Sequence, residues 1–281
     1  MRVRHDPRVG RLGGAVALRR VLVATGLLVG MLLAGAAPAG AAAGGPGPTV
    51  TGANVLMGNS HGTSNSLDWA GYAVTGTSLT SASGSWTQPS ATCSAKKPTQ
   101  SAFWVGIDGY AATDPTVQQI GTDADCTKGT KKVPSAPSYY AWYELYPDGI
   151  VTIDTATHPV APGDTFDASV SGSGSSYTLT LTDVGRWTYS TVQTTPMGTT
   201  GASAEWIAEA PTACKSKCKA VNLTDFGTVG FTGASVNGAA ISSTTTGLQH
   251  VTMTKNKKGT IVKASTSALL GSDFIVSWVS P

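Results

Sequence analysis

Glutamate is scarce in this chain, and its three positions are chemically suggestive. Glu144 stands in Tyr139-Tyr140-Ala141-Trp142-Tyr143-Glu144-Leu145-Tyr146, and Glu205 and Glu209 stand in Ala204-Glu205-Trp206-Ile207-Ala208-Glu209. A protein that uses glutamate for solubility scatters it over polar loops; here it occurs only among aromatic and aliphatic residues of strand type. Side chains alternate along a strand, so Glu205, Ile207 and Glu209 share one face, and Glu144 shares its face with Trp142 and Tyr146. A carboxyl flanked by aromatics is partly desolvated. Its pKa rises, which suits a general acid or base in mildly acidic medium. The plain alternative is a set of edge-strand charges that discourage aggregation.

A second candidate group is the amide of Gln119, inside Thr116-Val117-Gln118-Gln119-Ile120-Gly121-Thr122-Asp123. A buried amide needs matched donors and acceptors. It serves either as a structural hydrogen bond to a neighbouring strand or as a donor aimed at a developing oxyanion. An apolar run, Ser101-Ala102-Phe103-Trp104-Val105-Gly106-Ile107, leads into an Asp108-Gly109 turn.

These groups must be held by strands. Period-two alternation is plain in residues 165–170, 177–182 and 186–192, and Phe274-Ile275-Val276-Ser277-Trp278 reads as a last strand. Pro147-Asp148-Gly149, Ala161-Pro162-Gly163-Asp164 and Asn237-Gly238 are turn signals between such runs. Many short strands without a sustained helical period predict an all-β sandwich or barrel. The ordered domain is expected from Leu67 to the end, at 67–281, a normal size for a single domain.

Residues 1–43 read as a secretory signal peptide. Six arginines are followed by an uncharged run from Val21 to Ala37 and by small-residue sites at Ala39-Gly40-Ala41 and Ala41-Ala42-Ala43. Residues 44–66, dominated by Gly, Pro, Ser, Thr and Asn, read as a flexible linker or short propeptide. The whole chain carries 19 Lys+Arg and 16 Asp+Glu. Without the first 43 residues, 13 basic and 15 acidic groups remain, a net of −2. The excess of basic charge thus belongs to the leader, and no nucleic-acid partner is implied. No membrane association is expected after leader removal, and a secreted monomer is expected. The four cysteines, Cys93, Cys126, Cys214 and Cys218, suit two disulfides in an exported chain. The short spacing favours Cys214–Cys218 and hence Cys93–Cys126. No Cys-x-x-Cys pair occurs and the histidines are scattered, so no metal and no cofactor are expected.

Together these segments resemble the glutamic peptidases, the eqolisin family. The matching pieces are Asp68-Trp69-Ala70-Gly71-Tyr72, Trp104-Val105-Gly106-Ile107-Asp108-Gly109, Val117-Gln118-Gln119-Ile120-Gly121, Ala141-Trp142-Tyr143-Glu144-Leu145-Tyr146-Pro147 and Ala204-Glu205-Trp206-Ile207-Ala208-Glu209. The resemblance implies an antiparallel β-sandwich of two curved sheets, of the concanavalin-like or jelly-roll type. It also implies an acid endopeptidase acting on protein or peptide substrates through a glutamine and a glutamate. By motif position it selects Gln119 over Gln118, and Glu209 over Glu205, as the catalytic pair. Trp104, Asp108, Asp123, Glu144 and Glu205 are then cleft residues that bind substrate. The chain departs from the family's fungal members in its lower acidity and in the extra loop from Cys126 to Ser138.

Two other classes compete. Gly58-Asn59-Ser60-His61-Gly62 matches the serine hydrolase G-x-S-x-G pattern, but without the strand and helix that motif needs. A glycosidase or carbohydrate-binding module on a similar sandwich would also place carboxyls among aromatics. Glu205 and Glu209, four residues apart on one strand, lie about 13 Å apart, which is wide for a sugar-cleaving pair.

Overall fold

The computed structural model describes residues 55–56 and 63–281, apart from 94–96, 112–113, 196, 215–217 and 257. The signal-peptide segment, most of the 44–66 segment and the Gly58–Gly62 motif lie outside the described residues. Among the described residues the secondary structure is strand alone. The first half comprises β1 (Val55–Leu56), β2 (Thr63–Ser66), β3 (Trp69–Thr75), β4 (Ser81–Thr87), β5 (Ala102–Ile107), β6 (Val117–Cys126), β7 (Pro137–Tyr146), β8 (Ile150–Thr152) and β9 (Thr165–Ser173). The second half comprises β10 (Ser176–Asp183), β11 (Trp187–Thr194), β12 (Ser203–Glu209), β13 (Thr212–Cys214), β14 (Cys218–Ala220), β15 (Thr228–Val236), β16 (Ala239–Ala240), β17 (Leu248–Thr254), β18 (Val262–Thr266) and β19 (Phe274–Trp278).

Strand burial follows composition. β10 alternates buried leucines and tyrosine with threonines, as a strand with one solvated face does. β5 and β12, written as nearly continuous apolar runs, are buried on both faces. The expected turns form: Asn237 and Gly238 take φ of 50° and 77° between β15 and β16, the left-handed pair that an Asn-Gly hairpin requires.

The pairings trace one path: β8-β7-β6-β5-β12-β3-β17, then β18-β19, then β15-β4-β9-β10-β11. All of these are antiparallel. The first seven strands and the last group form the two layers of the expected sandwich. They are not separate sheets, because the β17-β18-β19 corner carries hydrogen bonding from one layer to the other. Between the layers sits the main core, with Trp86, Phe166, Leu179 and Phe231 against Tyr72, Phe103, Ile120 and Trp206. Trp206 Nε1 donates to the Ser83 carbonyl at 2.7 Å. Gly84 leaves that indole its room, since a Cβ there would lie 2.8 Å from the ring.

Thr63–Ser66, expected to belong to a flexible linker or short propeptide, forms strand β2, paired parallel to β17, with Ser66 fully buried. Its polar composition hides it: the Ser66 hydroxyl is consumed by Asp68 at 2.7 Å, so a serine fills an interior position. The edge-charge alternative also fails, because β12 pairs on both sides, with β3 and β5.

A disulfide joins Cys93 to Cys126, with Cα atoms 5.4 Å apart. The bridge closes a loop of 33 residues, for which chain entropy gives about 3–4 kcal/mol. A Cys93→Ala, Cys126→Ala double variant is expected to lose stability of that order in denaturant titration; an unchanged midpoint would contradict it. Cys214 and Cys218 are register partners across the β13–β14 hairpin, and their side chains lie outside the described residues.

Candidate active site

Register, more than sequence order, assembles the site. Across the face of β7-β6-β5-β12-β3 turned away from the main core, partner residues form rows. One row runs Glu144, Gln119, Gly106, Glu205, Ala73. The next runs Trp142, Gly121, Trp104, Ile207, Gly71. A third runs Tyr140, Asp123, Ala102, Glu209, Trp69. Gln118 points to the opposite face, on the row of Ile107 and Leu145.

Gln119 and Glu205 are therefore on one row with a glycine between them. They sit two strands apart, about 10 Å between backbones. Glu209 is four residues further along β12, yet its carboxyl, lifted chiefly by burial, lies close enough to Glu144, which holds Gln119, and to Asp123 for both charges to raise its pKa further, whereas Glu205 senses Asp108 and Asp114. The β5–β12 register puts Glu205 opposite Gly106, and row membership alone does not choose between Glu205 and Glu209 as the partner of Gln119.

Gln119, Glu144, Glu205 and Glu209 are all fully buried. Gln119 Nε2 donates to Glu144 Oε2 at 2.9 Å, which orients the amide and leaves its second N–H available. Gln119 Oε1, Glu144 Oε1 and both Glu205 oxygens make no hydrogen bond of good geometry. Glu209 Oε1 on the same face is likewise unpaired, and since such atoms cost about 1–3 kcal/mol each, the whole face is a place built to engage a polar ligand. Burial raises the Glu144 pKa to about 8, with the Gln119 hydrogen bond pulling the other way. Burial likewise lifts Glu205 well above its ordinary 4.5; the Ser203 hydroxyl opposes this and the charges of Asp108 and Asp114 add to it.

The third row is a hydrogen-bonded group. Trp104 Nε1 donates to Glu209 Oε2 at 2.9 Å, and Trp142 Nε1 donates to Asp123 Oδ1 at 2.5 Å. Tyr140 donates to Asp123 at 2.8 Å and lies 3.2 Å from Asp125. Desolvation raises Asp123 well above the normal range, and the Asp125 charge adds to it. Asp125, pushed to about 6 by burial, was not anticipated. Its signal was present, since it follows Asp123 at the i+2 spacing that shares a strand face. Asp108 was expected to line the cleft. It lies beyond β5 at φ 67°, and its carboxylate accepts from Thr200 N, Thr200 Oγ1 and Ala202 N at 3.1, 3.1 and 2.7 Å. It anchors that loop, and its charge also reaches Glu205 on the site face. Among the described residues no group of three His, Cys, Asp or Glu is placed to hold a metal ion.

A sandwich whose one face carries a buried amide beside carboxyls, walled by tryptophans, defines a glutamic-type peptidase. A model of the Peptidase A4 family matches residues 67–278, and the chain belongs to this family, the eqolisins. Aspergillopepsin-2 of Aspergillus niger is 29% identical over 212 residues, covering 66% of this chain and 71% of the relative. The crystal structure of scytalido-glutamic peptidase with a transition state analog inhibitor superposes with a TM-score of 0.63 at 25% identity, covering 75% of this chain and 98% of the other. That of aspergilloglutamic peptidase from Aspergillus niger gives 0.50 at 28% identity, over 64% and 99%. The chain is a peptidase, and its substrates are proteins or peptides.

Proposed function

We propose that this chain is a secreted acid endopeptidase that activates water directly with Gln119 and Glu209. The observation that carries this reading is the buried group in which Glu144 holds the Gln119 amide and the Glu209 carboxyl senses the Glu144 and Asp123 charges, with Gln119 Oε1 and Glu209 Oε1 both unpaired. Ionised Glu209 takes a proton from a water held between its carboxylate and Gln119 Oε1. The water oxygen bonds to the scissile carbonyl carbon. The free N–H of Gln119 donates to the oxyanion, an interaction worth about 3 kcal/mol. Glu209 then passes its proton to the amide nitrogen as the C–N bond breaks. A neutral amide partner avoids the like-charge coupling of two carboxylates.

Export is supported by the leader pattern and by the Cys93–Cys126 bridge. Among the described residues no helix is long and apolar enough to cross a membrane. The reading further takes the mature protein as a monomer starting at or after the Ala39–Ala43 sites.

The pH profile tests it, measured on protein recovered from culture medium and checked by N-terminal sequencing. Glu209 must be ionised to act, and burial lifts its pKa, so kcat/KM is expected to rise with pH through that raised value. Glu144 ionises at about 8 and places a negative charge beside the oxyanion donor, so activity falls through that pH. Glu144→Gln is expected to move the alkaline limb upward. An alkaline limb unmoved by Glu144→Gln would refute the Glu144 assignment. Absence of cleavage of an unfolded protein at every pH from 3 to 9 would refute the function.

A further inference from the structure

A surface cavity of about 470 Å³ has a cationic lining: Lys219, Lys255 and Lys263 border it, together with Leu67, Asn222 and Pro281. Residues 44–281 carry 13 basic and 15 acidic groups, so three lysines around one cavity do not follow from overall charge. Lys219 and Lys255 are exposed, whereas Lys263 is only 4% exposed. Among the described residues none of the three is in an ion pair; the pairs there both belong to Arg186. An ammonium has three N–H donors. Lys263 Nζ uses one, on the Val221 carbonyl at 3.3 Å, and among the described residues no second acceptor takes another. Burial pulls the Lys263 pKa down to about 8; the Asp68 charge opposes this and the Lys255 charge adds to it. A buried cation with donors to spare is stabilised by an anion that enters beside it.

The cavity adjoins the end of the site face where the third row lies. Leu67 is two residues before Trp69, the register partner of Glu209. Val221, also in the lining, donates its N–H to the carbonyl of Pro211, two residues past Glu209. Asn222 accepts from Gln100 N at 3.0 Å, and Gln100 Nε2 donates at 3.1 Å to Asp125, two residues past Asp123. Strands β3, β12 and β6 thus all run out toward the cavity at one end. The charge of Asp68 reaches both Glu209 and Lys263. Two to three residues of extended chain span about 7–10 Å. A peptide held extended across Gln119 and Glu209 has the reach to place there a side chain two to four residues from the scissile bond. The occupant has to be anionic, and the anionic groups of a peptide are its carboxylates.

We propose that this cavity is a subsite for an acidic side chain of the peptide substrate, with Lys263 at its base and Lys219 and Lys255 at its rim. This rests on the reading that places the reaction at Gln119 and Glu209. The contact lies away from the reacting atoms and is made equally in the ground and transition states, so it acts on KM and leaves kcat alone.

Peptides with one common cleavable core test this. A single glutamate is walked over the positions two to four residues on either side of the scissile bond, with glutamine at the same place as control. At about pH 6 glutamate side chains are ionised and lysines are charged. At one position the glutamate peptide is expected to show a KM roughly 10-fold below its glutamine control, with kcat alike. Lys263→Met keeps the length of the side chain and removes the charge, and is expected to bring that ratio to about 1. Lys219→Ala combined with Lys255→Ala, both exposed, is expected to reduce it to roughly 3-fold. Equal KM values for every pair of peptides would overturn the proposal, whether the cavity then takes only free anions such as sulfate or is closed by the Pro281 segment. A ratio unchanged in both sets of variants would overturn it as well. If Lys263→Met does not fold, the rim variant decides, because the ratio must fall when those charges are removed. Full activity of Glu209→Gln and Gln119→Ala on the glutamine peptides would instead reject the underlying dyad, whereas their inactivity with equal KM values in the unaltered enzyme rejects the subsite alone.

Discussion

Glu209→Gln is expected to lower kcat by at least ~100-fold with substrate binding much less affected. The substitution keeps the volume and hydrogen-bonding capacity of a fully buried position and removes only the ability to take a proton from water. Gln119→Ala is expected to give a loss of similar size for a different reason, since it removes the donor to the oxyanion and leaves the base in place. Both groups act in one transition state, so the double variant should lose far less than the product of the single losses. Single-turnover kinetics on a peptide substrate, with circular dichroism to check folding, reads all three. Near-normal activity of Glu209→Gln alongside an inactive Glu205→Gln would move the base role to Glu205. Near-normal activity of both would remove glutamate from the base role altogether.

The choice between these glutamates shows what the sequence could and could not convey. Period-two alternation put Glu205, Ile207 and Glu209 on one face, and the structure has them there with β12 buried throughout. Alternation within a strand says nothing about which residue of the next strand lies opposite. That depends on the pairing of β12 with β5 and of β5 with β6, which aligns Glu205 with Gly106 and Gly106 with Gln119. The β5–β12 pairing joins strands far apart in sequence, Ala102–Ile107 and Ser203–Glu209, and no local pattern encodes it. The same gap hides the contacts of Asp108, whose carboxylate accepts from the loop at Thr200–Ala202 far along the chain. It also explains β2, whose polar residues read as linker because their partners in β17 are far along the chain. The aromatic walls were legible, since Trp104 and Trp142 sit in apolar strand runs. Their tethering to Glu209 and Asp123 was not.

The buried carboxyls that serve catalysis also make stability depend on pH, and the direction follows from the shifts. Glu144, Glu205, Glu209 and Asp123 all bind protons more tightly in the folded chain than in the unfolded one, because burial disfavours their charged forms. Folding therefore takes up protons between the ordinary carboxyl range and the raised folded values. The associated stability is fully present below pH about 4 and is lost as pH rises through the folded pKa values. For Glu144 the window runs from 4.5 to about 8, which corresponds to an upper bound on the order of 5 kcal/mol. Against a total of roughly 5–15 kcal/mol for a typical domain, that is a large share. Lys263, pulled down to about 8 by burial, acts in the opposite sense, but only between about 8 and its ordinary 10.5. It cannot offset the loss on the way to pH 8. Thermal melts are thus expected to show Tm falling by roughly 10 to 20 °C between pH 4 and pH 8. Glu144→Gln, which cannot ionise, should flatten a good part of that slope. A Tm at pH 8 equal to or above that at pH 4 would mean that these carboxyls are ionised in the folded protein without penalty. The enclosed, desolvated face from which both the catalytic and the stability arguments start would then be wrong.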